Sequence, residues 1–196
     1  MYILASQSPR RKQLMSLDIS RDFKIVVSHA DESYPQGLEP SEVVRYIATK
    51  KGEVVHKEYE HDTVISADTI VVLDNEIIGK PKDEEDAYNM LKKLSGRTHI
   101  VYTGYAIFED DTLVTNVVKS EVVFNELSDK LIKKYIKTGS PLDKAGAYGY
   151  QDSDKHFPIV NKLIGSEKNV IGFPTDEIKL DLKKLKIKKM IKEALK

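Results

Sequence analysis

Apolar positions along the chain fall into short blocks whose spacing alternates between two periods, near two and near 3.6. Tyr2 to Ala5 reads as a strand, followed by the polar run Ser6-Gln7-Ser8-Pro9-Arg10-Arg11. Ser8 is placed as an N-cap with Pro9 in the first turn, predicting a helix that carries Leu14 and Leu17 toward a core. Phe23 to Val27 is a second strand, and residues 28–39, with Pro35 and Gly37, form a loop. After Pro40, the apolar residues Val43, Val44, Ile47, Ala48, Val54 and Val55 follow helical spacing. Val64-Ile65 and Ile70 to Leu73 are strand-like on either side of Ser66-Ala67-Asp68-Thr69, and Asp74-Asn75 turns toward Glu76 to Ile78. Asp83 caps a helix with Ala87, Met90, Leu91 and Leu94 on one face, ended by Gly96. Ile100 to Phe108 and Leu113 to Phe124 flank Asp110-Asp111 as a long hairpin. Ser128 opens a helix bearing Leu131, Ile132, Tyr135 and Ile136, closed by Gly139, and Ile159 to Ile164 is a last strand.

This order predicts an α/β or mixed α+β fold with a mixed sheet, in one domain spanning residues 1–196 and two lobes around a cleft. The composition supports that picture. Of 196 residues 40% are hydrophobic, enough for a substantial core. Thirty-one basic and 31 acidic residues balance to zero, which argues against coating DNA or a membrane through bulk positive charge. The absence of cysteine excludes disulfides, thiolate nucleophiles and cysteine metal sites. No apolar run approaches a membrane span and the first residues lack a signal-peptide pattern, so a cytoplasmic protein is expected. One shift breaks the balance: Lys179 to Lys196 has eight lysines against Asp181 and Glu193. Its apolar stripe of Ile187, Met190, Ile191, Ala194 and Leu195 predicts a terminal helix packed on the body, with nucleic-acid or acidic-membrane contact as the other reading.

Four stretches carry candidate chemistry. Two arginines in the first turn after Ser8 oppose the helix dipole unless an anion sits there, so Arg10 and Arg11 with the hydroxyls of Ser6 and Ser8 could hold a polyphosphate. Equally, Ser8 could be a cap alone and the arginines surface charges. Asp68 interrupts an apolar stretch, where a base or metal ligand would justify its burial; a strand-end or turn carboxylate accepting backbone hydrogen bonds is the alternative. Lys80 in Gly79-Lys80-Pro81, and Lys51 on the polar side of its helix, are each weak alone. Asp31-Glu32 offers oxygen ligands to a hard cation, or is a solvated loop pair. Residues 139–151 are rich in glycine and end at Gln151, whose amide both donates and accepts. The five histidines, scattered and mostly among charged residues, read as surface.

Taken together, these stretches resemble the Maf proteins, nucleoside triphosphate pyrophosphatases also linked to septum formation. The resemblance runs through Leu4-Ala5-Ser6-Gln7-Ser8-Pro9-Arg10-Arg11, Ser66-Ala67-Asp68-Thr69-Ile70-Val71, Gly79-Lys80-Pro81, Leu94 to His99 with Thr103-Gly104, Pro141 to Gln151, and Asn169-Val170-Ile171-Gly172, in the family's order. It implies a twisted mixed sheet with two lobes around a nucleotide cleft, like that of inosine triphosphate pyrophosphatases, and hydrolysis of a nucleoside triphosphate to the monophosphate and pyrophosphate. It also implies a divalent metal, Mg²⁺ with Mn²⁺ and Co²⁺ as alternatives. Asp68 would be the general base and touch the metal, with Glu32 as the second carboxylate. Ser8, Arg11, Lys51 and Lys80 would meet phosphates. Arg10, Thr69 and Gln151 match the subfamily acting on dTTP and UTP; the subfamily acting on 7-methyl-GTP has an aromatic, a Glu and a Lys there. Phe173-Pro174-Thr175-Asp176 and the lysine-rich tail depart from the family pattern. The competing readings are a pyrophosphatase for other modified nucleotides, and a nucleotide-binding regulator of septum formation. Neither membrane nor nucleic acid is expected as a partner, and a homodimer is left open.

Overall fold

A computed structural model describes residues 1–195. Its elements are β1 (Tyr2–Leu4), α1 (Pro9–Asp18), β2 (Phe23–Ile25), α2 (Pro40–His56), β3 (Thr63–Leu73), β4 (Glu76–Ile78), α3 (Glu84–Leu94), β5 (Thr98–Glu109), β6 (Thr112–Phe124), α4 (Asp129–Ile136), β7 (Val160–Ile164), α5 (Glu167–Ile171) and α6 (Thr175–Ala194), with three short 3-10 turns between Ser140 and Asp152. The fold is mixed α/β. Its sheet runs β2-β1-β3-β5-β6-β7, with β4 also on β3; β2, β1 and β3 are parallel and the rest antiparallel. Asp74 and Asn75 take φ of 52° and 64°, the left-handed pair a two-residue hairpin loop needs, and so join β3 to β4.

The central strand β3 organises the rest, because successive side chains point to opposite faces. Ser66, Asp68, Ile70 and Val72 face α2: Ser66 donates to the Ala48 carbonyl at 2.6 Å, and Ile70 and Val72 pack with Val44. On the other face Ile65 and Ala67 pack with Leu4, Met15, Phe173 and Ile178 under α1 and α6. Further along that face Val71 and Leu73 pack with Leu91, Leu94 and Ile132 under α3 and α4. Two groups of helices thus share one face of one strand, and Thr69 stands at the seam between them.

α2 lies close on the sheet because two glycines admit it. A Cβ on Gly104 would come within 2.7 Å of the Val44 carbonyl oxygen, and one on Gly52 within 2.5 Å of the Phe108 ring. Gly104 is the β5 partner of Asp68, so the closest helix–sheet approach falls beside that carboxylate.

Several expectations change. Residues 63–73 form one unbroken strand, so Asp68 is neither at a strand end nor in a turn. The second strand stops at Ile25. Leu17 is exposed and Met15 is buried instead. The inward side of α1 is set by Arg11, Met15 and Asp18, two of them polar anchors, which the apolar pattern could not reveal. Val54 is exposed on α2. His99 is fully buried, because alternation along β5 carries it inward beside Val101. The final helix starts at Thr175, and only its first half packs: Ile178, Leu182 and Leu185 are buried, whereas Ile187, Met190, Ile191 and Leu195 are exposed. Among the described residues, no helix is long and apolar enough to cross a membrane.

Candidate active site

One edge of β3 is continuously paired with β5, but the other is not. β1 covers it over Thr63–Ile65 and β4 over Val71–Leu73, leaving Ser66 to Ile70 unpaired on that side. A cavity of about 740 Å³ opens at this gap. Of the residues singled out from the sequence, Ser6, Ser8, Arg10, Arg11, Glu32, Lys51, Asp68, Thr69, Lys80 and Gln151 line it, whereas Asp31 does not.

Arg11 fills part of the gap. Its Nη1 donates to the Ala67 carbonyl at 2.6 Å and to Ser6 Oγ at 3.3 Å, its Nε to the Gly172 carbonyl at 2.9 Å, and its Nη2 to Thr69 Oγ1 at 3.2 Å. Four of its five donors are therefore occupied by protein acceptors. The guanidinium does for the Ala67 carbonyl what a neighbouring strand would do, and joins α1, β3 and the end of α5. Burial pulls its pKa down from the ordinary value, partly countered by the charge of Asp68. Ser8 caps α1, its Oγ accepting from the Arg11 backbone N–H at 3.5 Å, and it also lines the cavity. Thr69 Oγ1 lies 2.9 Å from Thr103 Oγ1, and Thr103 donates to the Asn169 carbonyl at 2.8 Å, so Thr69 supplies the proton between the two hydroxyls.

On the α2 side, Lys51 Nζ lies 2.7 Å from Asp68 Oδ1 and 2.9 Å from Glu32 Oε1. Lys51 and Asp68 each keep only 13% of their side-chain surface in solvent, whereas Glu32, on the loop before α2, keeps 63%. The loop carboxylate thus reaches the strand carboxylate through a shared ammonium. Lys80, exposed after β4, also lines the cavity. Arg10 spans the mouth to Asp143 at 3.2 Å, tying α1 to the glycine-rich segment.

That segment is held from behind by groups that no sequence motif marks. Asp152 Oδ2 accepts from the Tyr135 hydroxyl at 2.7 Å and from Ser140 Oγ at 2.6 Å, and the Tyr135 oxygen accepts from the Gly149 N–H at 3.0 Å. Burial and the Asp152 contact push the Tyr135 phenol above its ordinary pKa. Lys144 is buried, donating to Ser140 and Asp143. The Gly146 N–H donates to the Gly79 carbonyl at 3.0 Å, which couples the segment to the Lys80 turn. Tyr148, on the cavity wall, is backed by His99, whose Nε2 lies 2.7 Å from the Tyr148 hydroxyl; burial draws the His99 pKa down to about 4. Gln151 follows on the last 3-10 turn, exposed to the cavity. Tyr135 and His99 lie in segments read as core helix and surface, so only their tertiary partners disclose this support.

The chain is thus a mixed α/β protein with a polar cleft at the open edge of its sheet, lined by lysines, a helix N-terminus and two carboxylates. The chain belongs to the Maf family, described as Maf-like protein, which matches residues 1–185. It is 45% identical over 175 residues to a protein of Dictyoglomus turgidum named dTTP/UTP pyrophosphatase, covering 88% of this chain and 89% of that one. Proteins of the same name from Thermococcus onnurineus and a Geobacillus species are 46% and 44% identical, over 90% and 93% of this chain and 93% and 97% of theirs. A solved structure from Mycobacterium abscessus, titled nucleoside-triphosphatase / dITP/XTP pyrophosphatase, is 12% identical and covers 97% of this chain and 98% of its own at a TM-score of 0.46.

Proposed function

We propose that this protein hydrolyses dTTP and UTP to the monophosphate and pyrophosphate, clearing these and related pyrimidine nucleotides from the nucleotide pool. The observation that carries the reading is the Lys51 ammonium between Asp68 and Glu32 in a cleft of nucleotide size. The names of the relatives supply the substrate class.

The donor set fits a hard divalent cation. Asp68 and Glu32 already hold one cationic group within 2.9 Å, and both offer carboxylate oxygens. Among the described residues no cluster of three or more His, Asp or Glu could hold a metal ion. The chain would therefore contribute two ligands and leave the others to water and phosphate oxygens, as suits Mg²⁺. When bound, such an ion neutralises phosphate charge and polarises the phosphoryl group.

The chain's own residues supply the rest. Asp68 accepts the proton of the water whose oxygen attacks the α-phosphorus; the bond from that phosphorus to the bridging oxygen breaks, and pyrophosphate leaves. Lys51 and Lys80 counter charge on the phosphates, and the Ser8 hydroxyl and α1 N-terminus offer donors to them. Arg11 acts mainly as a brace that holds Thr69 and the strand edge in place. Gln151 reads part of the pyrimidine edge, where carbonyls flank an N3–H, with Arg10 and Thr69 as the other two residues of the specificity set.

The test is a panel of dTTP, UTP, ATP, GTP and 7-methyl-GTP with Mg²⁺, scored for both products. The expected result is pyrophosphate release with the highest kcat/KM for dTTP and UTP. Orthophosphate as the first product, or a preference for 7-methyl-GTP, refutes the reading.

A further inference from the structure

α6 carries two apolar stripes on opposite sides. The first, Ile178, Leu182 and Leu185 with Asp181, recurs at i, i+3, i+4 and i+7 and is buried against the body. The same side continues as Lys189 and Lys192, and Lys189 pairs with Asp110 on the β5–β6 turn at 3.1 Å. The second stripe, Ile187, Met190, Ile191, Ala194 and Leu195, has the same spacing but begins nine residues after Ile178, about two and a half turns, and so faces away from the body. Ile187, Met190, Ile191 and Leu195 are 47–82% exposed. Lys186 and Lys188 flank the stripe. The family match ends at residue 185, where the buried stripe also ends, so this second stripe lies outside the matched domain.

We propose that the outward stripe docks the protein on the surface of an anionic lipid bilayer. From Lys179 to Lys196 the chain has eight lysines against two acids, a charge of +6, while the remainder carries −6. Aliphatic side chains flanked by lysines match the boundary between acyl chains and anionic headgroups, with the stems of the lysines lying along the apolar surface and their ammoniums among the phosphates. A nucleic acid would meet the lysines but gains nothing from an aliphatic stripe. Self-pairing through the same stripe would bring lysine flanks against lysine flanks.

The test sediments the full-length protein with vesicles of phosphatidylcholine alone or mixed with phosphatidylglycerol. Expected are partitioning onto anionic vesicles about tenfold above the neutral ones, weakening with added salt, and loss of that excess when Ile187→Glu and Ile191→Glu are combined. Hydrolysis of dTTP in solution stays unchanged in the variant, since neither residue lines the cleft. Equal or absent binding to both vesicles, or undiminished binding by the variant, overturns the proposal. Sedimentation velocity without lipid separates the remaining occupant: a dimer that the two substitutions dissociate assigns the stripe to a second copy and overturns it too.

Discussion

The Lys51 ammonium sits 2.7 Å from Oδ1 of Asp68, joining a helix to the middle of the strand it crosses. The contact needs α2 close to the sheet, and that closeness depends on Gly104, which pairs with Asp68 across the β3–β5 ladder. Packing and candidate chemistry therefore meet at one rung of the sheet.

Asp68→Asn should leave the fold intact and lower turnover by about 10²–10⁴-fold, the usual contribution of a general base. The amide keeps the shape and a hydrogen bond to Lys51 but accepts a proton poorly. Pyrophosphate release alongside a thermal melt checks this; near wild-type turnover refutes the role of Asp68.

Gly104→Ala should destabilise the protein by about 1–3 kcal/mol, as overpacking of a close contact does. Its Cβ would meet backbone atoms of Val44 and Arg45, which cannot rotate away. Chemical denaturation measures the loss, and kcat should fall with it because α2 carries Lys51. An unchanged unfolding midpoint contradicts the account.

Arg11→Lys should cost both stability and activity although charge is conserved. A lysine cannot reach Ala67, Gly172 and Thr69 together with one planar fork, and each buried acceptor left unpaired costs about 1–3 kcal/mol. If Arg11 served only phosphate, KM would rise while the melting temperature held; that pattern refutes the bracing role. Thr69→Glu should share the stability loss, because Thr69 Oγ1 belongs to the same network. Gln151→Lys, at an exposed cavity position, is therefore the cleaner probe of specificity, expected to depress dTTP and UTP turnover without lowering the melting temperature.

His99 sets an acid limit. Its folded pKa is drawn from 6.5 down to about 4 by burial, so the fold favours the neutral ring. That contribution is fully present above pH 6.5 and is lost as the pH falls toward 4, on the order of 3 kcal/mol across the window. Denaturation between pH 7 and 4.5 should show wild type losing stability more steeply than His99→Phe. Parallel curves exclude His99 as the source.

Much of the lining of the candidate cleft was legible in the sequence because those residues sit in short ordered motifs with local logic. Ser8 and Pro9 are a cap and a first-turn proline, and both are found so. Asp68 stood out because an acid within an apolar run needs a reason. The parts that stayed hidden depend on contacts distant in sequence. Leu17 and Met15 exchange places because Arg11 and Asp18 turn α1, and no apolar count sees a guanidinium seeking a carbonyl 56 residues away. His99 follows the polar pair Arg97-Thr98 yet goes inward by strand alternation. The two stripes of α6 have the same spacing, and only the body decides which one is covered.

The unpaired edge of β3 has a consequence for how specificity can evolve here. Ala5 donates to the Ile65 carbonyl and Arg11 to the Ala67 carbonyl, so the odd-numbered residues aim their main-chain groups into the gap. Thr69 therefore offers the cleft its amide and carbonyl as well as its hydroxyl. Main-chain groups persist through every substitution except proline. Exchanging side chains around the cleft can then add or remove preferences, while the unpaired peptide edge stays as an inherited feature that every variant of this cleft carries.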